Sequence, residues 1–348
     1  MEVKKYNRPF PKVVRIEPAG ACNLSCSHCP TGTVKMTRGM MDEKIFSRVL
    51  ENLRYQLSSV KVVVLYHGGE PLLNKNFVSM LKEVKSLGIP FVKTVSNGMI
   101  FPDDILEGIV AHQLDAIEFS LDGASPEENN YIRRKSDYAT VVSNIKHLIQ
   151  YKRAQKAQLP KIFLSSAQFL VPDDYHHKNQ QPVPPAYLVR EFSGEYAGEI
   201  AGFKCTWAMR WPHMEVLDNI YDVYVDPYET KPSNYCDHVN NTITIRWNGD
   251  VVGCCFDLTS EYVLGNIVEH DLATIWNNQK YLHLRESIDK MDFIDMCEKC
   301  NVVKPNVFLV LKPDVISKLK EDSDKQLEAP EGLMNAKTRH ALKVKSSL

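Results

Sequence analysis

The stretch CNLSCSHCP, Cys22 to Pro30, sets three cysteines at C-x3-C-x2-C spacing on what reads as a loop after an apolar strand. Thiolates are soft ligands suited to iron–sulfur clusters, copper(I) or zinc. Structural zinc takes four closed ligands, and only His28 stands nearby as a fourth. Three thiolates on a four-iron cluster leave one iron open to a further ligand. A second set, Cys236, Cys254, Cys297 and Cys300, supplies four, enough to close a cluster's coordination. Four cysteines also suit a zinc ribbon. Cys255 adjoins Cys254, and neighbours on a strand point to opposite faces, so only one of the pair reaches the metal easily. Cys255 is then a small core residue or a thiol facing a substrate, and Cys205 has the same two readings.

Other polar residues fall at comparable places. HGGEP contributes Gly68, Gly69 and Glu70: two positions where backbone approaches closely, then a carboxylate. SNG brings Ser96 and Asn97, and SLDG brings Ser120 and Asp122, short polar groups suited to hydroxyls and also to plain turns. Arg133 and Arg134 in YIRRKSDY are competing cations. Arg210 and His213 in TWAMRWPHM are candidate acid–base groups, although packed tryptophans explain that stretch almost as well. Asp257 is a weaker candidate of the same kind.

The elements that must position these residues follow a strand–helix rhythm. VVRIEPAG, VKVVVLYHG, FVKTVSNG, LDAIEFSLDG and KIFLSSAQFL read as strands separated by amphipathic helices. They are continuous apolar runs, which predicts burial on both faces of a parallel sheet. Right-handed β-α units put every carboxyl end on one side, where ligand sites of such sheets lie. After residue 171 a polar, proline-rich loop is expected, with His176 to Pro185 helping to cover a cavity, and AYLVREF to PHMEV supplies one further short unit. From 236 a separate module is expected, opened by a hairpin, TITIRW-NG-DVVGCC, with an Asn-Gly turn.

The cysteine triad, HGGEP, SNG and SLDG, in that order at strand ends, resemble the radical S-adenosylmethionine (SAM) superfamily from about residue 13 to 305. The resemblance implies a partial (β/α)6 TIM-like barrel, an α/β fold, with a small C-terminal α+β iron–sulfur domain. It implies that Cys22, Cys26 and Cys29 bind a [4Fe-4S] cluster whose open iron is chelated by SAM. One electron then cleaves the sulfonium to a 5′-deoxyadenosyl radical that takes hydrogen from a substrate. Gly68, Gly69 and Glu70 would grip SAM's amino group, Ser96, Asn97, Ser120 and Asp122 its ribose, and Arg133 its carboxylate. His28 stands where the family usually has an aromatic residue. The second cysteine set resembles the auxiliary-cluster module called Twitch, a shortened SPASM domain, with Cys254 as the favoured hairpin ligand and a second [4Fe-4S] cluster implied. The expected layout is an extension over 1–12, the barrel over 13–215, the auxiliary domain over 216–312 and a charged helix or tail over 313–348. The single-cluster pattern is similar to aminocyclitol dehydrogenases and related sugar-modifying enzymes, so dehydrogenation, epimerisation or dehydration of a sugar or cyclitol is expected. Peptide maturation, or a non-catalytic electron carrier or zinc module, are the rival readings. A small-molecule substrate and a flavodoxin- or ferredoxin-type electron donor are the implied partners.

Composition fits these readings. Lys+Arg number 42 against Asp+Glu 43, at a pI near 6.8, so no basic field draws nucleic acid. Apolar runs stop short of a membrane span. The N-terminus has no apolar signal core, which predicts a cytoplasmic protein whose nine cysteines serve metal or catalysis and not disulfides.

Overall fold

The computed structural model describes residues 5–169, 182–225, 232–304 and 307–328. Eleven strands run in chain order: β1 (Val13–Ile16), β2 (Val62–Leu65), β3 (Phe91–Ser96), β4 (Ala116–Ser120), β5 (Lys161–Gln168), β6 (Ile200–Trp207), β7 (Tyr221–Val225), β8 (Thr242–Ile245), β9 (Asp250–Val252), β10 (Val263–Asn266) and β11 (Val307–Leu311). Nine of them form one sheet, ordered β10-β9-β8-β1-β2-β3-β4-β5-β6. Strands β1 to β6 are parallel and joined through helices, giving an open α/β partial barrel. All the strand ends that carry polar motifs therefore meet on one edge.

The helices form for ordinary reasons. Asp42 caps Glu43–Arg54 by accepting from the Ile45 N–H at 2.8 Å. Such a cap contributes about 1 kcal/mol. Phe46, Val49, Leu50 and Leu53 then recur at helical spacing and bury against the sheet. Asp137 caps the long helix Tyr138–Ala154 in the same way. On the helix-facing side Val14, Ile16, Val63, Leu65, Ile117, Phe119, Ile162 and Leu164 are fully buried.

The opposite face differs from expectation. Arg15, Lys93, Glu118, Ser120 and Ser165 alternate with those core residues and are half-buried, and Lys204 is exposed, none of them buried in apolar packing. Polar groups are tolerated there because Glu118, Ser120, Ser165 and Lys204 of that face line a cavity.

The expected separate module is also joined to the barrel. β8 pairs in parallel with β1, Val13 to Ile16 against Thr242 to Ile245, and β9 and β10 continue antiparallel. All four residues of β8 are buried, which explains why TITI needs a sheet neighbour on each side. The Asn248-Gly249 turn is present, with Gly249 at φ 87 and its N–H donating to the Arg246 carbonyl at 2.9 Å. β7 and β11 form a second, two-stranded sheet. Residues 170–181 of the expected covering loop lie outside the described residues, as do 329–348 of the tail. No helix among the described residues is long and apolar enough to cross a membrane.

Candidate active site

Cys22, Cys26 and Cys29 open into a cavity of about 460 Å³ at the carboxyl ends of the parallel strands. The same cavity is lined by His28, Gly68, Gly69, Glu70, Ser96, Asn97, Ser120, Asp122 and Arg133. Residues spread over more than a hundred positions thus converge at one place. Burial disfavours thiolate, pushing Cys22 up to about 11 and Cys26 up to about 12. Loading metal there must therefore release protons.

The triad's loop is fixed by its surroundings. The Ser25 N–H donates to the Arg134 carbonyl at 3.1 Å, and Arg134 Nε donates back to the Ser25 carbonyl at 2.9 Å. Ser27 Oγ sits 2.6 Å from the Tyr221 hydroxyl on β7. Thr31 Oγ1 donates to the Gly68 carbonyl at 2.6 Å, tying the triad to HGGEP. Two glycines permit this packing. A Cβ at Gly32 would stand 2.3 Å from the Cys26 carbonyl oxygen, and one at Gly69 would stand 2.3 Å from the Ala19 carbonyl oxygen. Gly69 therefore makes room for the protein's own backbone, a different reason from the ligand approach read in the sequence. Gly32→Ala should displace the triad and drop iron from about eight to about four per reconstituted chain. Iron analysis checks this, and full iron content would contradict it.

Glu70 is surrounded by donors: Leu72 N–H at 3.1 Å and Ser96 Oγ at 2.9 Å on one oxygen, Asn97 N–H at 2.7 Å on the other. Burial outweighs these bonds and pushes its carboxyl up to about 7. Because that folded value exceeds the unfolded one near 4.5, the stabilisation is complete below pH 4.5 and is lost as pH rises through about 7. An incoming ammonium restores pairing for the ionised form. SAM affinity should therefore rise about tenfold between pH 6 and 7.5, and Glu70→Gln should flatten the profile in calorimetric titrations. A flat wild-type profile would contradict the pairing.

Of the two arginines, Arg133 is the one on the cavity. Its Nη1 donates to Asp122 Oδ2 at 2.6 Å, while its buried Nε has no partner among the described residues. Burial opposes its charge, but Asp122 and the nearby Cys26 thiol more than compensate and raise its pKa. An orphaned guanidinium N–H beside the triad fits a carboxylate ligand such as SAM's. Asp122 is occupied differently from expectation. One oxygen accepts the Ala167 N–H at 2.8 Å, and the other holds Arg133 and lies 3.4 Å from His28 Nε2. It organises the site and has little capacity left for ribose. Burial lowers the His28 pKa, and the ring meets Phe169 edge-on at 5.5 Å.

Cys236, Cys254, Cys297 and Cys300 are all buried, away from the cavity, within the auxiliary region. Burial raises each thiol, and Cys254 and Cys297 also feel their neighbouring cysteines. Among the described residues no three His, Cys, Asp or Glu side chains converge closely enough to share a single ion. A four-iron cluster takes each thiolate on a different iron, so it does not require that convergence. Cys255 does not line the cavity; its Sγ lies 3.4 Å from His238 Nδ1, and the next residue, Phe256, reaches the cavity wall. Arg210 and His213 do not line it either, whereas their neighbours Met209 and Trp211 do. His213 has φ 57 and its Nδ1 lies 3.9 Å from Asp295. Asp257 accepts the Glu261 and Tyr262 N–H groups, both at 2.9 Å, so it holds its own loop. Cys205 lies on β6 and is not among the cavity-lining residues.

Sequence reasoning missed Glu17 and Arg246. This fully buried pair, at 3.0 Å, also accepts the Gly68 and Trp247 N–H groups on Glu17, at 3.0 and 3.1 Å. It locks HGGEP to the β8 end. The charged residues were visible, but nothing local marks two residues 229 positions apart as partners.

With this geometry in view, the comparisons are specific. Residues 16–156 match the radical SAM superfamily, and residues 236–301 match the SPASM iron–sulfur cluster-binding domain. The tungsten-containing aldehyde ferredoxin oxidoreductase cofactor-modifying protein of Pyrococcus furiosus is 26% identical over 328 residues, spanning 84% of this chain and 87% of the relative. The SAM-dependent 2-deoxy-scyllo-inosamine dehydrogenase of Niallia circulans is 23% identical over 299 residues, spanning 84% and 93%. BtrN in complex with AdoMet and 2-DOIA aligns with TM-score 0.53 at 16% identity, covering 85% of this chain and 94% of that one. The anSMEcpe structure with bound AdoMet aligns at TM-score 0.54 and 14% identity, covering 90% and 98%. These structural likenesses establish the shared fold. The chain carries a radical SAM domain over residues 16–156 and a C-terminal SPASM-type iron–sulfur domain over residues 236–301.

Proposed function

We propose that this enzyme is an oxidoreductase that removes hydrogen from a carbon of a small hydroxylated molecule, sugar- or cyclitol-like. The observation that carries this reading is one cavity joining the thiol triad, Glu70 and the orphaned Arg133 Nε to the hydroxyls of β4, β5 and β6. Cys22, Cys26 and Cys29 would hold the first cluster, and Glu70 and Arg133 would orient SAM by its two charged groups. When bound, cluster and SAM supply a carbon radical by reductive cleavage of the sulfonium. The chain's own part is to position substrate and exclude water, and Trp207, Met209 and Trp211 provide an apolar wall for that purpose. Cys236, Cys254, Cys297 and Cys300 would hold the auxiliary cluster, suited to accepting the second electron of an oxidation. We assign residues 13–215 to SAM chemistry and 216–312 to the auxiliary site, with β8 as the strand that couples them.

The similarity to the Niallia circulans dehydrogenase supports the small-molecule reading. Anaerobically reconstituted, reduced protein should convert SAM to 5′-deoxyadenosine, and a deuterated sugar or cyclitol substrate should transfer label into it. Intact SAM would contradict the enzyme reading, and label transfer from peptides alone would contradict the substrate class.

A further inference from the structure

Below the cavity, the inward face of the sheet is cationic. Register places Arg15 of β1 beside Val64 of β2 and Thr244 of β8, and Val64 beside Lys93 of β3. Ser165 of β5 stands beside both Ser120 of β4 and Lys204 of β6, so all these side chains share one face. One carboxylate, Glu118 of β4, serves both lysines: it lies 3.7 Å from Lys93 Nζ and accepts a hydrogen bond from Lys204 Nζ. Arg15 has no such partner among the described residues. Its Nε is buried and unpartnered among the described residues, and so is Thr244 Oγ1 on the adjacent strand. Two lysines therefore share one carboxylate and Arg15 is left without one, on a face whose Glu118, Lys204, Ser120 and Ser165 line the cavity while Arg15, Lys93 and Thr244 are not among its lining residues.

A half-buried cation without a counter-charge, as Arg15 is among the described residues, is costly unless something pairs with it. An ammonium-bearing ligand would add repulsion. A ligand oxyanion would satisfy Arg15 Nε and accept from Thr244 Oγ1, and it would relieve the competition for Glu118. We infer that the barrel interior receives an oxyanion of the substrate, a carboxylate or a phosphate, so that the substrate is acidic and not a free aminocyclitol. This rests on the proposed function, since it takes the cavity to be the substrate chamber.

The test uses oxidised, reconstituted holoprotein with SAM and no reductant, dialysed against labelled inorganic phosphate and, separately, labelled acetate. One saturable site per chain is expected for at least one of them. Phosphate binding alone marks a phosphate substrate, and acetate binding alone marks a carboxylate. Arg15→Met and Lys93→Met should each weaken that binding tenfold or more, while Lys61→Met on the surface should not change it. Glu118→Gln, which removes the competing carboxylate, should tighten binding several-fold, so the inference stays testable if the cation variants fold poorly. Absence of saturable binding by either anion, or equal binding in all variants, overturns it. SAM cleavage by reduced wild-type protein is scored separately. Its absence would sink the proposed function without depending on the anion result.

Discussion

Alanine in place of Cys26 should lower SAM cleavage by about a thousandfold or more, equivalent to about 4 kcal/mol of barrier. Cys26 is the middle thiol of the triad, and its loop is pinned through Ser25, Ser27 and Arg134, so no other thiol can move in to replace it. Losing one of three thiolates leaves a cluster with two open corners, which is degraded or lost. Cys297→Ala should behave differently, because Cys297 is buried in the auxiliary region and does not line the cavity. Cleavage should stay within about tenfold of wild type while product formation falls at least about a hundredfold. Measuring 5′-deoxyadenosine and product together separates the two. Parallel losses in both variants would contradict the division of labour between the sites.

Breaking the Glu17–Arg246 pair should be the most destabilising single change outside the apolar core. Arg246 is 1% exposed and its Nη2 lacks a partner among the described residues, so Glu17→Ala would leave a buried charge without its carboxylate, held only through Nη1 by the Leu258 carbonyl and the Ser260 hydroxyl. Removing one member of such a pair costs about 3–5 kcal/mol. It would also release the Gly68 N–H, and with it the strap through Thr31 that holds HGGEP against the triad. The urea midpoint of the anaerobic holoprotein should fall accordingly, and SAM affinity should weaken with it. The double change Glu17→Gln with Arg246→Met should cost less than Glu17→Ala, because no unpaired charge remains. Single variants within about 1 kcal/mol of wild type would show that the pair does not hold the two regions together.

Much of the site was legible because its residues sit just beyond strand ends, where a parallel sheet gathers distant loops. Cysteine spacing and the HGGEP glycines are local signals, and the fold brought them together as expected. What was hidden is long-range. The VVRI, FVKT and IEFS runs read as apolar, yet Arg15, Lys93 and Glu118 within them are half-buried on one shared face, where Glu118 lines the cavity; a strand of four to six residues carries too few positions to separate one face from two. The partnership of β8 with β1 was equally unreadable, since register between segments 229 residues apart leaves no local mark. Gly32 went unnoticed because its requirement lies in the Cys26 carbonyl, not in its own φ. The choice between Arg133 and Arg134 needed the helix Pro126–Ile132 to end, which turns the first toward the cavity and the second toward Ser25.

Electron paramagnetic resonance of the reduced, reconstituted protein with and without SAM is the most direct measurement. With Cys297→Ala removing the auxiliary signal, the remaining cluster spectrum should change its g-values on SAM addition, because in the proposed assignment SAM occupies the iron that Cys22, Cys26 and Cys29 would leave open. Superimposable spectra would mean that no such corner exists, and the account built on it would be wrong.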